Sequence, residues 1–264
     1  MTEKNHTFPS ALEAVVLAVA LMMVEYLVGA CLLDLHALSM INPLDTGGIV
    51  LVLSNAVIFT FVMDYKGLSY RELFHSAASQ AGVALPLILP AILLTVPALI
   101  MVISAIVQVI IELFPLSAAQ VSMFREMGSG SVGSIVIGCL LAPVLEEMFF
   151  RGIILRSFLQ QYPRWASIAG SALIFGAVHM NLYQFAAATI LGLFLGWLYQ
   201  RSRSLLPCIA LHAAYNTVLV VMNLAGEDWI AAHTGGSLPL LVVATVILGV
   251  VGLSWLRRLM PAAA

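Results

Sequence analysis

Charge is scarce in this chain: of 264 residues only 9% are Asp, Glu, Lys or Arg, against 62% hydrophobic side chains. With a mean hydropathy of +1.05, such a composition excludes a water-soluble globular domain and makes lipid the solvent. The formal net charge of −2 includes no basic run, so no nucleic-acid partner is expected. Cysteine is nearly absent too. Cys31, Cys139 and Cys208 are odd in number and lack both the paired spacing of a zinc site and a CxxC redox motif, which leaves them as inert small hydrophobes. Val28-Gly29-Ala30-Cys31 resembles a lipoprotein cleavage box, but it comes late, follows Glu13 and Glu25, and has no basic segment before it, so no processing is expected there. Internal repeats and low-complexity linkers are missing, and the longest polar stretches, around Asp64 to Gln80 and Glu112 to Gly130, are too short for a soluble domain. Residues 1–264 therefore read as a single membrane domain.

What is present is a series of long apolar runs. A hydrocarbon core needs roughly 20 mostly apolar residues per helix. On that basis an all-α, polytopic bundle of about eight spans is expected. They run over Ala11 to Leu33, Thr46 to Met63, Val83 to Ile111, Ser131 to Phe150, Trp165 to His179, Tyr183 to Tyr199, Leu205 to Asn223 and Leu238 to Leu256. Pro86, Pro90 and Pro97 are expected to kink the third. With the N-terminus inside, Lys4, Lys66, Arg71, Arg156, Arg164, Arg201, Arg203, Arg257 and Arg258 share the cytoplasmic side, while Asp34, Asp45, Glu227 and Asp228 fall opposite with Arg125. Both termini are thus expected to be cytoplasmic.

Ionisable groups inside such spans cost several kcal/mol unless paired or hydrated, so each is a functional candidate. They concentrate in the second half of the chain. The fourth span ends in Glu146-Glu147 with Arg151 four residues on; the fifth ends in Phe175-Gly-Ala-Val-His179; the seventh holds His212-Ala-Ala-Tyr-Asn216. Residues four apart share a helix face and adjacent ones point about 100° apart, so Glu147 reaches Arg151 and Glu146 points elsewhere. A carboxylate in an apolar interior without a local counter-ion suits a general base that must activate water, and Glu146 meets that description. His212 and Asn216 share a face and are able to donate hydrogen bonds to an oxyanion formed when water attacks an amide carbonyl. If every span runs straight, Glu146 and His212 lie toward the cytoplasmic side and His179 toward the far side. A fifth helix that begins within Gln160 to Arg164 and turns at Met180 to Leu182 inside a hydrated cavity reconciles those depths.

The three motifs in order, EExxxR at Glu146, Glu147 and Arg151, FxxxH at Phe175 and His179, and HxxxN at His212 and Asn216, resemble those of the CPBP family. That family comprises type II CAAX prenyl endopeptidases, bacteriocin-processing enzymes and related Abi proteins. The resemblance covers a motif-bearing core of about 131–223. It implies an intramembrane endopeptidase that cuts a peptide bond of a membrane-associated, prenylated or C-terminally anchored protein or peptide. It also implies Glu146 as the activator of water, His179 as the group that holds or polarises that water, and His212 with Asn216 as the oxyanion site. Glu147, Arg151 and Phe175 would orient the site.

Other readings stand beside this one. Glu146, His179 and His212 could form a two-histidine, one-carboxylate zinc set, although the HExxH spacing is lacking and Asn216 is a poor zinc ligand, so the expectation is a site without cofactor. A lone intramembrane histidine can merely bond a backbone carbonyl between helices. Glu147 with Arg151 also reads as a structural ion pair, and Tyr183, Gln184, Trp197 and Tyr199 as interfacial anchors. Glu13, Glu25, Asn55, Gln108 and Glu112 form no recognisable set, and His36, His75 and His233 fall in loops. At the level of the whole protein, the alternatives are a non-catalytic immunity or abortive-infection protein and a proton-coupled transporter; the latter lacks inverted repeats and paired broken helices. The expected partners are membrane lipid and a membrane-associated substrate, in a bacterial cytoplasmic membrane.

Overall fold

A computed structural model describes residues 7–34, 43–75, 85–128, 130–234 and 238–260. Lys4 and His36 lie outside the described residues, as do the side chains of Asp34, Asp45, Glu227, Asp228 and His233. Ten helices and no β-strand occur among the described residues. They are α1 (Ala11–Asp34), α2 (Pro43–Lys66), α3 (Tyr70–Phe74), α4 (Leu85–Leu113), α5 (Ala118–Met127), α6 (Val132–Gln161), α7 (Arg164–Ala177), α8 (Leu182–Ser202), α9 (Leu205–Thr234) and α10 (Leu238–Leu259).

Seven of these are long and apolar enough to cross a membrane: α1, α2, α4, α6, α8, α9 up to Gly226, and α10. The protein is therefore an all-α integral membrane protein. Two expected spans differ in extent. The fifth, expected over Trp165 to His179, is helical only over the 14 residues Arg164–Ala177, because Pro163 begins it and a turn at Val178 to Asn181 ends it. The fourth, expected to stop at Phe150, runs on for 11 more residues to Gln161. Its polar triplet does not end the helix because Glu147 and Arg151 are completely buried and bonded to each other, and Ile154, Leu155 and Phe158 continue the buried face. Pro86 stands in the first turn of α4, and Pro90 and Pro97 lie inside it.

The chain forms two compact units, one of residues 1–79 and 144–205, the other of 80–143 and 206–264. In the first, α1 lays Ala14, Leu17, Ala18 and Leu21 on an inner stripe spaced by threes and fours, and α2 does the same with Ser54, Ile58, Phe59 and Val62. The two are antiparallel: Phe8 meets the Tyr65 ring edge-on at 5.0 Å at one end, and Gly29 faces Val50 at the other. The segment before α1 is tied to the end of α6. The Pro9 carbonyl accepts from Ser157 Oγ and from Gln161 Nε2, both at 2.9 Å, and the Ala11 amide donates to the Tyr162 hydroxyl at 3.1 Å. Glu13 closes a capping box there, accepting from the Ser10 amide at 2.7 Å. In the second unit α4 packs along α10, where a Cβ on Gly252 would stand 2.8 Å from the Ala91 carbonyl.

α7 and α8 form a close hairpin. Gly196 faces Ile168, Gly192 faces Ala172, and Gly176 faces both the Phe185 carbonyl and the Thr189 hydroxyl. A Cβ at Gly176 would come 2.8 Å from that carbonyl, which cannot swing aside as a side chain can. Gly176→Ala is expected to destabilise the protein by about 1–3 kcal/mol through overpacking. Gly47→Ala, with nothing within 4 Å, should be neutral; thermal unfolding of both variants in detergent would check the contrast, and equal effects would count against it.

Candidate functional site

Glu147 and Arg151 belong to α6, one turn apart and both at 0% exposure, with Arg151 Nη1 donating to Glu147 Oε1 at 2.9 Å. The guanidinium is held on two further sides. Nη2 donates to the Gly192 carbonyl of α8 at 3.3 Å, and the group lies over the Phe175 ring of α7, 4.5 Å from its centroid. A single buried cation thus joins three helices. Gly192 has to be small for this, since a Cβ there would stand 3.2 Å from Arg151 Nη2 and 3.1 Å from Ala172.

From Met148 to Leu155 α6 widens into a π-helix, a local form frequent where function demands an unusual placement. Within it the Phe150 carbonyl accepts from Ser171 Oγ of α7 at 2.9 Å, and the Phe150 and Phe175 rings pack at 4.9 Å. This cross-link fixes the antiparallel register of α6 and α7. Counting from it, Glu146 lies four residues along α6 and His179 eight along the antiparallel α7, so their levels differ by about 6 Å, roughly one helical turn. The conflict of depths posed by straight spans therefore disappears for this pair: α6 is longer than expected and the turn after α7 sits at His179 itself.

His179 is oriented twice. Its backbone amide bonds the Gly176 carbonyl at 3.2 Å and passes over Phe175, whose carbonyl is taken instead by the His179 ring through Nδ1 at 2.9 Å. A carbonyl only accepts, so Nδ1 carries the proton, and in the neutral ring Nε2 is the acceptor. The Phe175 and His179 rings meet edge-on at 5.3 Å. Met180 then adopts a left-handed conformation, φ 54°, and Asn181 caps α8, accepting from the Gln184 amide at 2.8 Å while its own amide donates to the His179 carbonyl at 3.1 Å. Asn181 was not among the sequence candidates, though the Asn-Leu-Tyr-Gln spacing of a capping box marks it.

Burial separates the adjacent glutamates. Glu147 is sealed in the core, whereas Glu146 is half-buried, as is His179. Glu146 also interacts electrostatically with Glu25, a half-buried carboxylate of α1.

His212 and Asn216 belong to the second unit. His212 is buried at 4% exposure, and one turn on Asn216 Nδ2 donates to the Gly138 carbonyl at 2.7 Å. Gly138 lies in another π stretch of α6, Ile137–Leu141. One of the two Asn216 amide hydrogens is thereby used to tie α9 to α6, and the other remains a donor. Further along, Asn223 Nδ2 donates to the Gly128 carbonyl at 2.5 Å. Among the described residues no three His, Cys, Asp or Glu side chains gather into a group able to hold a metal ion.

Removing one partner of a buried ion pair leaves an uncompensated charge, a loss of about 3–5 kcal/mol. Arg151→Met is expected to lower thermal stability in detergent by that order, and adding Glu147→Leu to recover most of it. A double variant as unstable as the single one would show that the pair does not govern stability.

Comparison with known proteins places this motif-bearing stretch. Residues 128–218 match the family model described as type II CAAX prenyl endopeptidase Rce1-like. A protein of Bacillus subtilis (strain 168) named "Putative membrane peptidase YdiL" is 31% identical over 90 residues, a stretch that covers 34% of this chain and 37% of that protein. The match thus spans little more than a third of the relative's length. No solved structure matches the chain. All seven residues of the three motifs lie within the matched stretch, which is similar to the type II CAAX prenyl endopeptidase Rce1-like family.

Proposed function

We propose that the protein is an intramembrane endopeptidase of a bacterial cytoplasmic membrane. It hydrolyses a peptide bond of a membrane-associated protein or peptide, one that is prenylated or otherwise anchored near its C-terminus. Glu146 takes a proton from the attacking water as the water oxygen bonds to the carbonyl carbon. It returns that proton to the amine nitrogen as the C–N bond breaks. His179, through Nε2, accepts a hydrogen bond from the same water. His212 and Asn216 donate to the carbonyl oxygen as it becomes negative.

The observation that supports this reading most directly is the contrast between two adjacent carboxylates. Glu147 is fully buried and bonded to Arg151, a structural arrangement, whereas Glu146 is half-buried at the depth of a histidine whose Nδ1 is held by a carbonyl. The likeness of residues 128–218 to type II CAAX prenyl endopeptidases supports an anchored substrate. Hydrolysis of an amide in a confined apolar setting needs a base, a means of placing water and an oxyanion donor, and the three motifs supply one residue type for each.

The test is cleavage of fluorogenic peptides, farnesylated and plain, by wild type and Glu146→Gln in proteoliposomes. Loss of at least about 10²-fold in kcat with unchanged thermal stability is expected for the variant. A Glu146→Gln protein that cleaves as the wild type does would overturn the assignment of the base.

A further inference from the structure

Glu25 is a carboxylate in the middle of a membrane-spanning helix, and the mechanism above gives it no task. It follows Ala14, Leu17, Ala18 and Leu21 on the inner stripe of α1 at the same three- and four-residue spacing, so it faces the unit's interior. The other acid of this helix, Glu13, closes the N-terminal capping box. Glu25 has no such local use.

Two registers set what it meets. The bonds of Pro9 and Ala11 to Ser157, Gln161 and Tyr162 bring the start of α1 to the end of α6. From there Glu25 lies about 21 Å along α1, and Glu146 lies about 17–24 Å back along α6, at 1.5 Å per residue. The two carboxylates thus come to one level from helices tied at a common end, and they interact electrostatically. On the other side, antiparallel pairing of α1 with α2 through Gly29 and Val50 puts Glu25 level with Ser54. Ser54 is at 0% exposure, and its hydroxyl has no hydrogen-bond partner among the described residues. A buried hydroxyl of that kind calls for a polar partner such as water. The neighbouring Asn55 is occupied with the Leu51 carbonyl at 2.9 Å.

We infer that Glu25 is a positioning residue for Glu146: the two carboxylates hold one proton between them, and Glu25, in its protonated form, donates a hydrogen bond to Glu146 through water that Ser54 also binds. Two carboxylates brought to one level of a low-dielectric interior are costly to ionise together, and one proton held between them removes that cost. Glu25 neither gains nor loses a proton over the cycle. It holds the base in place while Glu146 moves the proton from water to the amine. The other ionisable groups brought toward this level are Glu147 with Arg151 from α6, His179 from the end of α7, Tyr183 from the start of α8 and Tyr26 beside Glu25. Asp64 and Lys66 of α2, Arg164 of α7 and Arg201 and Arg203 of α8 belong to the opposite ends of their helices.

The inference rests on Glu146 as the base, and the experiment separates the two. The pH dependence of kcat and KM is measured in proteoliposomes for wild type, Glu25→Gln, Glu25→Ala and Glu146→Gln, with thermal unfolding of each. A pair that must hold one proton gives a bell-shaped profile. Glutamine, a neutral donor at every pH, should keep the acid limb of Glu25→Gln and abolish the basic one. Glu25→Ala should lose about tenfold in kcat with KM within twofold. A Glu25→Gln profile of wild-type shape, whether lowered throughout or unchanged, would overturn the inference while leaving Glu146 as the base. Activity retained in Glu146→Gln would overturn the reading beneath it.

Discussion

The buried pair of Glu147 and Arg151 is the contact on which the first unit depends. A charge without a partner in this interior would cost several kcal/mol, so the guanidinium must find every acceptor it can. It does so from three helices, taking a carboxylate from α6, a carbonyl from α8 and an aromatic face from α7. Much of the local architecture follows from those demands. Gly192 is small where the guanidinium passes, Phe175 is turned to stack beneath it, and Phe150 packs against Phe175 in turn. A polar centre of this kind specifies one arrangement of helices more sharply than leucine packing in lipid does, because displaced apolar side chains lose little where the solvent is also apolar.

The π stretch from Met148 to Leu155 fits the same logic. Within this widened stretch Ser171 donates to the Phe150 carbonyl. The second π stretch, in the other unit, exposes the Gly138 carbonyl to Asn216 in the same manner. In both places a polar side chain on a neighbouring helix bonds a backbone carbonyl of a π stretch, which is how an apolar interior accommodates irregular helix geometry.

Much of this was legible in the sequence, for reasons that can be located. Seven long helices announce themselves by apolar length, which lipid enforces directly. The division between Glu146 and Glu147 follows from the 100° step between neighbours, since only Glu147 lies under Arg151. The end of α6 was misplaced for an equally plain reason: a Glu-Glu-Arg run looks like an interface with water until its pairing is known, and pairing depends on α7 and α8. The shortness of α7 is hidden because Val178 and His179 are as compatible with a helix as Ile174. Glu25 is the least legible of all. Its significance depends on Pro9 being tied to Ser157 and Gln161, residues about 150 positions away, and no local pattern encodes that.

The bond between the His179 ring and the Phe175 carbonyl carries a consequence of its own. The backbone amide of residue 179 reaches back three residues rather than four, and the imidazole, not that amide, bonds the carbonyl at 175. The four-residue interval in the motif is therefore the interval at which a side chain is able to stand in for its own backbone at a helix terminus. Stopping the helix and setting the ring's tautomer are one event. The interval is as much a rule of helix accounting as of chemistry, and a residue inserted between the two would undo both at a stroke.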